Sequence, residues 1–208
     1  MDRTNGAVLD MILGGLRGST AADVGSGVGR VMNLLSAHGF DVSGCELDPA
    51  LAATSGADAC DARLWAPPAP VDVVTCIELV EHLPPEDHRP LLRRMASWLN
   101  EDGVLIVSTP QRTSLVSVTE RAFHRVRRKH GPYEWWDPTH ISVRSRRYWE
   151  HLFGSVDLVV VRRVGWSFAP DIAVRVVPPL ARLRAAHTDG PLAVLGFDLV
   201  WVLKGAVR

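Results

Sequence analysis

The sequence predicts an α/β fold in which parallel strands are joined by crossover helices. Short apolar runs alternate with stretches of helical periodicity along most of the chain. One of them, Val71–Ile77, is rich in β-branched residues, the composition of a strand covered on both faces. Early in the chain an acidic residue is followed by glycines at alternate positions, Asp23-Val24-Gly25-Ser26-Gly27-Val28-Gly29. That loop sits between an apolar run and a helical stretch, the setting in which backbone amides hold a nucleotide-like ligand.

The elements follow in order. A first helix is expected over 4–16 and a first strand over Thr20–Val24. Val28, Val31, Met32, Leu34 and Leu35 recur at helical spacing over 30–38, and Gly39 stops that helix. Strands follow at Asp41–Glu46, 57–60 and Val71–Ile77. A helix over 86–100 carries Leu91, Leu92, Met95, Trp98 and Leu99 on its apolar face, and 103–108 forms a fifth strand. The regularity then breaks into a basic, aromatic stretch at 109–136. After it come a helix near 145–153, a strand at 156–164 and a last strand at 197–203. Between those strands 165–191 is irregular, with Pro170, Pro178, Pro179 and Pro191 and an apolar, arginine-bearing helix near 172–186. The last two strands suit a hairpin-like closing edge.

At 208 residues, 47% hydrophobic and 22% charged, the composition is that of one globular domain, 1–208. The formal net charge is zero, so no global field draws the chain to nucleic acid or an anionic membrane. Cys45, Cys60 and Cys76 have no metal-ligand spacing and fit reduced thiols in a cytoplasm. The early apolar stretch at 7–16 is broken by Asp10 and two glycines, which fits neither a secretory signal nor a membrane span.

The loop spacing excludes two ligands. A dinucleotide fingerprint needs its third glycine where Arg30 stands, and a phosphate loop needs Gly-Lys-Ser/Thr, which is absent. Glu46 ends the second strand about 20 residues beyond the glycines, where a carboxylate accepts from a ribose diol. Asp61 follows the third strand and is placed to accept from an adenine amino group, with Asp58 competing for that role. The strand-four stretch continues as Ile77-Glu78-Leu79-Val80-Glu81-His82-Leu83, and the turn Leu99-Asn100-Glu101-Asp102-Gly103 precedes strand five.

Together these stretches, roughly residues 15–110, resemble the class I S-adenosylmethionine (SAM) methyltransferases. The loop matches the family's motif I, D-x-G-x-G-x-G, and strand four its F-D-x-V-x-x-x-E-x-x-E-H segment. By pattern the chain is similar to the ubiquinone-biosynthesis O-methyltransferases and to the terminal 2′-O-methyltransferases of small RNAs. The resemblance implies a Rossmann-like three-layer sandwich whose seven-stranded, mostly parallel sheet ends in an antiparallel strand. It also implies SAM as methyl donor, with Asp23, Gly25, Gly27, Gly29, Glu46, Asp61 and Glu78 at the cofactor.

Glu78, Glu81 and His82 share a face if they lie on one helical turn, which Pro84 and Pro85 limit. His140 comes from a second segment, Asp137-Pro138-Thr139-His140. Three readings stand. Glu78, Glu81, His82 and His140 hold Mg²⁺ or Mn²⁺, as the resemblance to the small-RNA enzymes implies; His82 or His140, with Glu81 beside them, acts as a general base; or the cluster braces the loop. Farther on, Arg121, His124, Arg125, Arg127, Arg128, Lys129 and His130 precede Tyr133, Trp135 and Trp136. A weak stripe of Leu115, Val118, Ala122 and Val126 makes part of this insert helical. The resemblance makes about 110–150 a substrate lid.

No D/N-P-P-Y/F motif of nitrogen methyltransferases follows strand four. With a base or metal positioned to ionise a hydroxyl, the expected function is SAM-dependent O-methylation of a small polyhydroxylated or phenolic metabolite by a cytoplasmic monomer or homodimer with no membrane partner, nucleic acid being disfavoured by the zero net charge but left open. The alternatives are a metal-dependent 2′-O-methyltransferase of RNA 3′ ends and a SAM-binding protein without catalysis.

Overall fold

A computed structural model describes residues 3–126, 137–167 and 186–206, with Pro179 and Arg182. Among them eight strands form one sheet: β1 (Thr20–Val24), β2 (Asp41–Glu46), β3 (Asp58–Ala59), β4 (Val71–Ile77), β5 (Leu99–Pro110), β6 (Leu158–Trp166), β7 (His187–Asp189) and β8 (Asp198–Gly205). The spatial order is β3-β2-β1-β4-β5-β8-β6-β7. Strands β1 to β5 pair in parallel, and β8 runs antiparallel to both of its neighbours, β5 and β6.

The helices are α1 (Arg3–Leu13), α2 (Arg30–Ala37), α3 (Pro49–Ser55), α4 (Pro85–Ser97), α5 (Leu115–Val126) and α6 (Arg146–Gly154). Strand alternation sends neighbouring side chains to opposite faces of the sheet. Val73, Val104 and Ile106 pack with Val8, Ile12, Val31 and Leu35 of α1 and α2. Val74, Leu105 and Val107 pack with Leu91, Leu92 and Met95 of α4 and with Trp149 and Phe153 of α6. The result is the three-layer sandwich, with β4 and β5 buried from both sides.

Several expectations need correction. The sheet has eight strands because β7 adds a three-residue edge, antiparallel to β6. Strands β6 and β8 do pair antiparallel at the closing edge as expected, with β8 the inner of the two, beside β5. Helix α3 was not expected. It starts at Asp48, whose Oδ1 accepts from the amides of Ala50 and Leu51 at 2.8 and 3.2 Å, and it stops at left-handed Gly56. Helix α4 ends at Ser97 and Leu99 already belongs to β5, because Val71 takes up Leu99 as its pairing partner. Helix α5 turns the anticipated stripe outward: Val118, Ala122 and Val126 are exposed, while Val116 and Ser117 are buried. The basic and aromatic residues at 127–136 and most of the helix anticipated near 172–186 lie outside the described residues. Among those described, no helix is long and apolar enough to cross a membrane.

The strand order reverses between β1 and β4, since β1 leads outward to β2 while the chain returns to place β4 on its other side. Ligands of open α/β sheets bind at the carboxyl ends of the strands at such a switch point. The glycine loop leaves β1 there, and the Glu78–His82 segment leaves β4 beside it.

Candidate cofactor and catalytic site

The loop after β1 is shaped by three left-handed glycines, Gly25, Gly27 and Gly29, at φ 76°, 53° and 80°. Their alternate spacing reflects a backbone that reverses hand at every second residue. At Gly29 a Cβ would lie 2.9 Å from the Ser55 Cβ, so the close approach of α3 requires glycine as the φ does. A Cβ on Gly27 would meet nothing within 4 Å, because that position faces open space. The space is a cleft of about 320 Å³ lined by Gly25, Ser26, Gly27, Val28, Arg30, Val31, Ile77 and Glu78. No side chain caps the first turn of α2, whose amino end borders the cleft and favours a carboxylate.

Glu46 reaches the loop from the end of β2. Its Oε2 accepts from the Gly27 amide at 2.8 Å and its Oε1 from the Asp48 amide at 3.0 Å. Those two bonds fix the carboxylate at the cleft edge, and its remaining lone pairs can accept from a diol. Asp23 is buried beneath the loop. Its Oδ1 accepts from Thr75 Oγ1 at 2.6 Å, whereas Oδ2 meets no donor in hydrogen-bonding geometry. Burial pushes the Asp23 carboxyl up to about 7, against the Thr75 bond and reinforced by the Glu46 charge.

Asp61 stands at the far end of the sheet, where Arg63 grips both its oxygens, with Nη2 at 2.6 Å from Oδ2. That guanidinium holds the Asp61 carboxyl below the usual range. An adenine amino group there would share the carboxylate with Arg63. The competing Asp58 accepts from Trp65 Nε1 at 2.7 Å.

Glu78 and Glu81 have neighbouring carboxyls but different backbone settings. Glu78 is left-handed at φ 53°, uncommon for a residue with a side chain. It is held there by Ser108 of β5, which accepts the Glu78 amide on its carbonyl at 3.1 Å and donates its hydroxyl to Oε1 at 2.6 Å. Glu78 therefore lines the cleft beside the glycine loop, and the single helical turn anticipated for Glu78–His82 shrinks to a 3₁₀ turn at Val80–His82.

Glu81, His82 and His140 do come together: one carboxylate oxygen and one nitrogen from each ring lie within 4.8 Å of one another. Glu78 is not in that group. The Ser142 amide donates to the Glu81 carbonyl at 2.9 Å, tying the His140 segment to the 3₁₀ turn. The two imidazole rings meet edge to face at 4.7 Å. His82 Nδ1 lies 3.2 Å from the Thr139 carbonyl, an acceptor only, so Nδ1 carries the hydrogen. It also lies 2.9 Å from Thr139 Oγ1, which in turn donates to Asp137 at 2.5 Å. This leaves His82 Nε2 as the ring atom with a lone pair. Glu81 is fully buried with the Thr109 hydroxyl and the Glu78 carboxyl beside it, though neither of its oxygens meets a donor in strict hydrogen-bonding geometry. Burial, then the neighbouring Glu78 carboxyl, push its pKa well above the ordinary range. A buried carboxylate beside two imidazoles is the environment a divalent cation satisfies, and its oxygen and nitrogen donors suit Mn²⁺ or Mg²⁺.

Sequence reasoning missed Thr75, Ser108 and Thr139, the hydroxyls that orient Asp23, Glu78 and His82. Single Ser and Thr residues within strands and turns carry no pattern that marks them out.

Comparison with known proteins adds to this geometry. Residues 7–163 match the profile of a methyltransferase domain family. A ubiquinone biosynthesis O-methyltransferase of Xylella fastidiosa (strain 9a5c) is 33% identical over an alignment of 111 residues that covers 47% of this chain and 44% of that protein. The chain thus matches less than half the length of that relative. Among solved structures, a SAM-dependent methyltransferase from Archaeoglobus fulgidus superposes with a TM-score of 0.67 at 18% identity, over 96% of this chain and 92% of the other. Magnesium protoporphyrin IX methyltransferase from Synechocystis PCC 6803, with bound S-adenosylhomocysteine (SAH), superposes with a TM-score of 0.67 at 13% identity, over 97% and 84%. At these identities the superpositions speak for the fold.

Proposed function

The chain belongs to the methyltransferase domain family and uses SAM as its methyl donor, and from that premise we propose that it methylates a hydroxyl oxygen of a small polyhydroxylated or phenolic molecule. The observation that carries this reading is the convergence of Glu81, His82 and His140 beside the cofactor cleft. An oxygen nucleophile must lose its proton as the methyl group arrives, and this cluster offers two ways to promote that loss.

The residues around the cleft fit SAM. The uncapped amino end of α2 suits its carboxylate, Glu46 suits its ribose diol, and Asp23, with one buried oxygen lacking a donor, suits its positive charge. When bound, SAM supplies a methyl group on a sulfonium, and the unfilled position at Gly27 leaves room for it. Glu81, His82 and His140 are the residues that would hold a cation, with Glu78 turned to the cofactor side. A divalent cation held there would lower the pKa of a substrate hydroxyl. His82 keeps Nε2 towards the ligand because Thr139 holds Nδ1, and the Ser142–Glu81 bond keeps the two segments in register.

A specific observation favours a second reading. The Asp137–Thr139–His82 hydrogen-bond chain orients the imidazole as a general base is oriented, with Nε2 free to take the hydroxyl proton. Both readings fit one methyltransferase domain. Transfer of radiolabelled methyl from SAM to catechols, simple phenols, sugars and short RNA, with EDTA and with Mn²⁺ added back, tests them. We expect turnover on a vicinal diol or catechol, lost with EDTA and restored by Mn²⁺. Turnover indifferent to EDTA favours His82 as base, salt-sensitive turnover on RNA favours the RNA reading, and tight SAM binding without transfer favours a non-catalytic role.

A further inference from the structure

The 3₁₀ turn that carries Glu81 and His82 has a shortage of donors. Pro84 and Pro85 follow it directly, and neither has an amide hydrogen to give the carbonyls it leaves behind. Within the turn the Leu83 amide reaches the Val80 carbonyl only at 3.3 Å. His88, one turn into α4 and fully buried, fills the gap: Nε2 lies 2.9 Å from the Val80 carbonyl and 3.2 Å from the Leu83 carbonyl. Both partners are acceptors only, so Nε2 carries the hydrogen. Burial pushes the His88 imidazole below its ordinary range, with the Arg144 charge acting the same way against the two backbone bonds and Asp87. The ring is therefore neutral at physiological pH, and Nδ1 accepts from the Tyr148 hydroxyl at 3.0 Å.

Tyr148 belongs to α6, the helix that begins just after the His140 segment, capped by Ser145. Two brackets thus join the segments that meet at the site. One is the Ser142 amide on the Glu81 carbonyl, and the other is Tyr148 through His88 to the carbonyls at either end of the turn. The His88 ring is held in turn by Trp149, with ring centres 4.6 Å apart.

We propose that His88, backed by Tyr148, is the positioning residue of the Glu81–His82–His140 site: by donating to the Val80 and Leu83 carbonyls it sets the turn so that Glu81 and His82 face His140. The proposal rests on the reading of that cluster as the reactive site. It requires no contact between His88 and substrate or cofactor.

The test uses the full chain in four forms: wild type, His88→Leu, His88→Gln and Tyr148→Phe. Histidine side-chain ¹H–¹⁵N correlation spectra report the rings, electron paramagnetic resonance reports Mn²⁺ binding, and SAM affinity serves as the check on folding. In the wild type His88 shows the Nε2–H tautomer. His88→Leu moves the His82 and His140 signals and weakens Mn²⁺ binding about tenfold or more, the usual cost of losing support for a ligand-bearing element, while SAM affinity stays within about twofold. His88→Gln, whose amide N–H can reach the same carbonyls, recovers Mn²⁺ affinity to within about threefold of wild type. Unchanged His82 and His140 signals with unchanged Mn²⁺ affinity in His88→Leu overturn the proposal, as does a Gln variant as impaired as the Leu variant. If the wild type binds no Mn²⁺, the cation reading falls by itself and the ring signals still decide the positioning claim. If His88→Leu does not fold, Tyr148→Phe decides it: displaced His82 signals support the proposal and unmoved ones overturn it.

Discussion

Asp23→Asn makes the most quantitative prediction. The carboxyl is fully buried and is raised from an ordinary value of 3.8 to about 7, with burial as the main cause. Below pH 3.8 the folded and unfolded chains both carry the proton. Between 3.8 and about 7 only the folded chain holds it, so stability falls as pH rises; above about 7 both states are ionised and the penalty is constant. At 1.36 kcal/mol per unit, moving from about pH 5 to about pH 8 costs the SAM-free wild type up to about 3 kcal/mol through this one group. Asparagine does not titrate. Urea unfolding of both proteins without ligand should therefore show the variant gaining about that amount on the wild type across the interval. In the same variant SAM binding should weaken, because the buried negative charge that destabilises the empty cleft is what a cationic ligand relieves. A wild-type-to-variant difference constant to within about 0.5 kcal/mol at both pH values refutes the reasoning.

Four further substitutions follow from the geometry. Glu46→Gln removes the charge from a carboxylate that organises the Gly27 amide and that we propose accepts from the ribose, and calorimetry should find SAM binding about 10- to 100-fold weaker, since hydrogen bonds to charged groups contribute ~1.5–3 kcal/mol. Gly29→Ala should lower the urea midpoint more than Gly27→Ala: both pay ~1–2 kcal/mol for a left-handed alanine, but only the first also drives a Cβ into Ser55. Gly27→Ala should instead act mainly on SAM affinity. Ser108→Ala strips Glu78 of the hydroxyl that holds its side chain, costing ~1–3 kcal/mol in unfolding experiments and weakening SAM binding as well.

The parts of the fold that are periodic or punctuated were legible. The Val71–Ile77 run reads as a doubly covered strand because both faces of β4 are buried, and the alternate glycines read as a ligand loop because each takes a left-handed φ. Helix α3 was legible in principle, since Asp48-Pro49 starts it and Gly56 stops it, but its apolar face is too short to show a period. The orientation of α5 was not legible. Ser114 and Ser117 are buried there by hydrogen bonds to each other and to the Gln111 carbonyl, and hydrophobic periodicity cannot see a polar face turned inward. The place of β8 between β5 and β6 depends on pairing across the whole sheet, which no local pattern encodes. At the site, Glu81, His82 and His140 were readable as a chemical set. The turn of the Glu78 side chain into the cleft was not, because it follows from one uncommon φ stabilised by a serine on another strand.

The most direct measurement is anomalous diffraction at the manganese edge from crystals grown with SAM and Mn²⁺. SAM density is expected in the cleft between Gly27 and Glu46, with an anomalous peak held by Glu81, His82 and His140 and with Glu78 outside its coordination. SAM in the cleft with no anomalous peak at that cluster, or a peak elsewhere on the protein, contradicts that expectation.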